Sequence, residues 1–209
     1  MLHDLKDLLG SCVHASDGEL GTVRNFLFDD QSWTIRYLVV DVGNVLTRRE
    51  VILAIAAVEQ PDWESRSFRV NYTKEQVRNS PDVDTEKPVT RQQEIAMQEF
   101  YHWVAYWIDV GLGSGPPLPA GSDYPVSPRE NPHLRSVLDV TGYEVLATDG
   151  EIGRLHSFIM DEVTWHLGFL DVKAGHWLHS RSVLIPTRWV KSVSWVKRRV
   201  DLQRTRQGI

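Results

Sequence analysis

One cysteine, Cys12, stands in 209 residues, which excludes an intramolecular disulfide framework and suits a reducing cytoplasm. Long apolar runs are missing as well: nothing approaches the roughly 18 uninterrupted apolar residues of a membrane span. The opening Met1-Leu2-His3-Asp4-Leu5-Lys6-Asp7 does not have the basic-then-apolar order of a signal peptide. Strong charge of one sign is absent too. The net charge is −5, and 42% hydrophobic with 24% charged residues is ordinary for a folded soluble chain. The expected setting is therefore the cytoplasm, with the membrane periphery as a second location.

What the chain does have is the same stretch twice. Asp17-Gly18-Glu19-Leu20-Gly21 returns as Asp149-Gly150-Glu151-Ile152-Gly153, and the match continues without a gap at an offset of 132. Phe26 pairs with Phe158, Asp29 with Asp161, Trp33 with Trp165, Leu38 with Leu170 and Trp63 with Trp195. About 20 identities in about 66 positions mark a duplicated small domain, not a solenoid unit. The kept residues are glycines, aliphatics, tryptophans and turn residues. No His, Cys or Ser is shared, whereas duplicated chemistry would leave a duplicated polar constellation.

Each copy reads as short strands and tight turns. Ser11 to Ala15 alternates, Ser16-Asp17-Gly18-Glu19 is a hairpin turn that tolerates positive φ, and Thr22 to Phe28 returns. Trp33, Ile35 and Tyr37 share a face, and the β-branched run continues through Val42. Val51 to Ile55 is continuously apolar, as in a strand covered on both sides. Phe68 to Tyr72 is a last strand, before a helical turn at Lys74 to Val77. Five or six short strands in about 75 residues predict a small barrel, since closure removes exposed edges. The expected architecture is mainly β: barrels at 1–80 and 134–209, joined by a linker at 81–133. In that linker Thr90 and Glu94 signal a helix start, and Ile95 to Tyr101 give two or three turns. An aromatic cluster, Tyr101 to Trp107, follows, and then a Gly/Pro/Ser-rich stretch.

Gly-x-x-Val, Asp-Gly-Glu-(Leu/Ile)-Gly and Phe-x-x-Asp-(Asp/Glu)-x-x-Trp recur in order across Gly10 to Trp33 and Gly142 to Trp165. With Val-Leu-Ile-Pro at Val183 to Pro186, and Pro88 to Glu94 between the copies, they make the chain similar to the PRC-barrel family. That family includes the cytoplasmic barrel of the photosynthetic reaction-centre H subunit, and a related barrel occurs in ribosome-maturation factors. The first copy departs at Ala54, where the second has Pro186. The resemblance implies a binding and assembly scaffold. It transfers no catalytic motif and no role in photosynthesis.

Candidate chemistry is thin. His176 and His179 have a spacing two metal ligands could use, yet their counterparts are Asn44 and Thr47 and no third ligand is evident. Cys12 and His14 share a strand face, but side chains two apart stand roughly 7 Å apart, too far for a nucleophile–base pair. The paired acids Asp29-Asp30 and Asp161-Glu162 are expected to bond their own turns. No catalytic residue, metal or cofactor is expected. Two surfaces remain. Tyr101, Trp103, Tyr106 and Trp107 either pack between the barrels or stay exposed for a protein partner or a second copy of the chain. Arg188, Lys191, Lys197, Arg198, Arg199 and Arg204 form a basic tail that suits an anion or an anionic membrane surface, or a solvated strand edge. The expected function is a non-catalytic interaction or assembly module. Small-ligand or anionic-lipid binding in the inter-barrel cleft is the alternative. RNA binding stands third, disfavoured by the acidic balance.

Overall fold

The computed structural model describes residues 1–43, 49–59, 61–81, 91–103, 134–174 and 181–209. The chain runs β1 (Leu2–Asp4), α1 (Leu5–Leu8), β2 (Cys12–Ala15), β3 (Gly18–Asp29), β4 (Thr34–Asp41), β5 (Glu50–Ala54), β6 (Ser67–Arg69), α2 (Lys74–Arg78) and α3 (Arg91–Tyr101). It continues with β7 (Leu134–Ser136), α4 (Val137–Val140), β8 (Glu144–Ala147), β9 (Gly150–Asp161), β10 (Leu167–Ala174), β11 (Arg181–Pro186), β12 (Val190–Ser194) and β13 (Arg199–Leu202). The fold is mainly β, in two sheets.

The sheets repeat each other in pairing. In the first, the order is β5-β4-β3-β2-β6; in the second it is β11-β10-β9-β8-β13-β12. Cys12 faces Thr22 as Glu144 faces Arg154, and β2 runs parallel to β6 as β8 does to β13. Both Asp-Gly turns hold glycine at positive φ, +129° at Gly18 and +145° at Gly150. Gly21 and Gly153 are needed for space. A Cβ at either would lie 1.9–2.0 Å from a carbonyl oxygen of the facing strand, at Asp41 and Lys173.

The expected closure by a continuous strand ladder is not what the structure has. Among the described residues, no ladder joins the two edges of either sheet. Instead a single chain turns the corner. β11 passes through a 3-10 turn (Thr187–Trp189) into β12, so the opposite edges of that sheet are consecutive segments. Thr187 Oγ1 donates to Leu167 O at 2.7 Å and anchors the corner. The first sheet turns likewise at Ile55–Ala57, after which Val58 bridges Val70 and Asp62 bridges Ser67.

The sheets also trade strands. β1 pairs with β9, and β7 pairs with β3. His3 faces Met160 as Arg135 faces Phe28, so each partner pair is the other displaced by the repeat offset. Contacts in which i meets j′ while j meets i′ define an isologous interface, here inside one chain. At its centre the Ile35 N–H donates to Trp165 O (3.0 Å) and the Leu167 N–H to Trp33 O (2.7 Å). Phe28 meets Phe158 across the junction at 5.3 Å, and one apolar core spans both sheets.

Gly21→Ala should destabilise the protein by about 3 kcal/mol, because backbone cannot yield as a flexible side chain can. Gly168→Ala, whose nearest neighbouring atom is 4.0 Å away, should cost under about 0.5 kcal/mol. Urea unfolding of both variants checks the contrast.

Candidate interaction surfaces

The aromatic linker divides at the edge of the described residues; Tyr106 and Trp107 lie outside them. α3 is three turns long and buries Met97 and Tyr101, the Tyr101 ring lying 4.7 Å from that of Tyr72. Tyr37 Oη donates to Glu94 Oε1 at 3.0 Å, and Trp103 Nε1 donates to Tyr72 Oη at 2.8 Å. The Tyr101 and Trp103 rings stack at 4.4 Å, and Trp103 lies 6.3 Å from Tyr37. Both residues thus pack on Tyr37 and Tyr72 of the first copy. Tyr101 is 6% exposed, and burial pushes its phenol up to about 12. The exposed ring of this helix is Phe100, at 39%.

The basic tail is distributed over several neighbours. Arg188 and Arg204 both approach the Trp189 ring, at 5.9 and 5.6 Å, and Arg198 lies 5.2 Å from Tyr143. Arg199 pairs with Asp201 at 3.1 Å. Lys197 is exposed at the β12–β13 turn, and Lys191 faces a cleft described below.

The first acid of each pair serves its turn, whereas Asp30 and Glu162 instead bond Arg135 and His3. Asp29 Oδ1 accepts from the Gln31 and Ser32 N–H groups, and Asp161 Oδ1 from those of Val163 and Thr164. These bonds hold the Asp161 carboxyl below its usual range, the Thr164 N–H foremost. Cys12 is exposed, His176 and His179 lie outside the described residues, and no cluster of three metal ligands occurs among the described ones.

The strand exchange builds two related clefts that the repeat pattern alone did not reveal. In one, the His3 ring stacks on Trp63 at 4.5 Å and its Nε2 lies 2.8 Å from Glu162. In the other, Arg135 lies 6.0 Å from the Trp195 ring and bonds Asp30 at 2.6 Å. His3 and Arg135, Trp63 and Trp195, and Asp30 and Glu162 are equivalent positions, so one three-part clasp occurs twice. Beside the first clasp is a cleft of about 700 Å3 lined by Met1, His3, Pro61, Asp62, Trp63, Glu64 and Glu162. Beside the second is one of about 430 Å3, whose charged lining residues are Asp30, Arg135 and Lys191. The sequence did carry a signal. Leu2-His3 and Leu134-Arg135 obey the repeat offset, but nothing in either segment names its partner strand.

Residues 3–77 match the family model of the PRC-barrel domain. This part of the chain is similar to PRC-barrel domains. PRC-barrel domains are generally non-catalytic modules. The match begins at the residue whose ring forms the first clasp and ends in α2. No curated protein matches the chain. No helix among the described residues is long and apolar enough to cross a membrane.

The His3 ring, and after it the Met1 amino group, hold the Glu162 carboxyl below the usual glutamate range. A carboxylate depressed on folding adds stability above its unfolded value, and that stability is lost as pH falls through the folded value. His3→Ala should therefore move the Glu162 titration upward, toward the ordinary glutamate value. Carbon-13 NMR of the side-chain carboxyl, followed against pH in both proteins, measures the shift.

Proposed function

We propose that the protein is a non-catalytic interaction and assembly module. In this reading residues 134–209 are a second PRC-barrel unit, 81–133 connect the two, and binding is by surface complementarity. The observation that carries it is the duplicated clasp. Both halves retain the same Trp, the same acidic position and the same exchanged strand, while the residues lining the neighbouring clefts have diverged. Divergence around a framework that keeps its Trp and its acid suits recognition of different surfaces, as charge arrangement selects partners more than it adds raw affinity.

A second reading is favoured by one feature. The 430 Å3 cleft is lined by residues of both copies and carries Arg135 and Lys191, so a small anion or lipid headgroup has cations to meet there. Asp30 already engages Arg135 at 2.6 Å, which leaves Lys191 as the more available charge and puts this reading second.

Crosslinking of tagged full-length protein in its host, with peptide mapping by mass spectrometry, tests the first reading. Crosslinks should run from residues 59–66 or 191–199 to a stoichiometric protein, either another chain or this one. Lys197→Glu with Arg198→Glu should remove those from the second segment without altering the circular dichroism spectrum. Protein crosslinks at neither segment, with retention on phosphatidylglycerol vesicles, would replace this reading with the second.

A further inference from the structure

The hairpin tips next to the two clasps have the same shape and opposite charge. Glu59 in the first copy is Lys191 in the second, Asp62 is Ser194, Glu64 is Val196 and Ser65 is Lys197. Segment 59–66 thus holds three acids and one arginine, and segment 191–198 three cations and no acid. The backbone is kept. Arg66 and Arg198 occupy the left-handed region at φ 52° and 47°. Each tip is also pinned by an oxygen at the same position: Asp62 accepts from the Glu64 and Ser65 N–H groups, and Ser194 Oγ from that of Lys197.

The two tips differ in what they offer. The second projects Val196, which is 94% exposed, and beside it in the chain stand the exposed Lys197 and Arg198. The first borders the 700 Å3 cleft, where Asp62 and Glu64 flank the apolar atoms of Met1, Pro61 and Trp63, and Glu162 is already paired with the Met1 amino group and His3. An apolar tip with a cationic collar is the complement of an apolar floor with an acidic rim. Among the described residues, nothing covers Val196.

We infer that the basic tip around Val196 and Lys197 docks into the acidic cleft around Trp63 and Glu64 of a second copy of this chain. The inference rests on the proposed assembly function and names its partner. Tip-to-cleft contact is heterologous: each molecule uses one surface as donor and the other as acceptor, so association continues into a ring or an open filament. The contact is charge-dependent and weakens as salt shortens the Debye length from about 10 Å at 0.1 M.

Sedimentation velocity of the purified full-length protein tests this, over a range of concentration and from about 0.05 to 0.5 M salt. The expected result is concentration-dependent self-association that salt reverses. Glu64→Lys and Lys197→Glu are both exposed substitutions, with circular dichroism and melting temperature as controls for folding. Each alone should weaken self-association by at least about tenfold, since it sets like charges face to face. An equimolar mixture of the two should associate again, because the native tip of one variant meets the native cleft of the other. A monomer at every concentration and salt would overturn the inference, as would association that neither substitution weakens, or a mixture that stays monomeric. A monomer that instead binds vesicles of phosphatidylglycerol and phosphatidylcholine would assign the tip to a membrane. A monomer that still crosslinks to another host protein would overturn self-docking while leaving the assembly function standing.

Discussion

The reciprocal trade of β1 and β7 is the constraint on which the rest of the molecule depends. Each three-residue strand is too short to be stable alone, and each is useful only because a long strand of the other copy leaves pairing groups free beside it. Edge groups left unpaired would template association with other chains. The exchange satisfies them internally. It also delivers buried polar pairs that fix register: Asn25 Nδ2 donates to Ser136 Oγ at 2.7 Å on one side, and Ser157 Oγ donates to Asp4 Oδ1 at the equivalent place. Asp4 and Ser136 are in turn the N-caps of α1 and α4, so the same side chains end the strand, start the helix and hold the opposite sheet.

Trp33 and Trp165 show how much the junction holds in place. Both adopt positive φ, 52° and 58°, an uncommon conformation for so bulky a residue. Each ring nevertheless lies almost wholly inside the protein, Trp33 against Phe28 and Phe158, Trp165 against Trp63 and Phe68. Their carbonyls accept the two central hydrogen bonds between sheets. Local strain of this kind persists only where surrounding contacts over-determine it, and here those contacts come from both copies. The clasps at His3 and Arg135 lie at the two ends of the same junction. They are therefore framework as much as surface, and specificity is left to the exposed residues around them.

Most of the strand order was legible before any coordinates, because local pattern governs it. Asp-Gly turns, the alternating Ser11 to Ala15 and the apolar Val51 to Ala54 specify elements from short stretches of chain. The capping box at Thr73 and Gln76 is likewise a local device. Pairing between copies was not legible, since His3 and Met160 carry no mark that they face each other across 157 positions. Closure was not legible for a related reason: nothing local in Thr187–Trp189 marks a corner, which is anchored by the distant Leu167 carbonyl that Thr187 reaches. At the candidate surfaces, the aromatic run gave no sign that Trp103 would bond Tyr72 of the first copy. The charge inversion between 59–66 and 191–198 was written in the residues, and it became meaningful once both segments stood beside equivalent clasps.

If the exchanged strands make two sheets into one body, neither sheet can melt while the other stays folded. Differential scanning calorimetry of the full chain measures this directly. The account predicts a single transition whose calorimetric and van't Hoff enthalpies agree. Two resolved transitions, or a calorimetric enthalpy about twice the van't Hoff value, would mean that the sheets unfold independently and would contradict it.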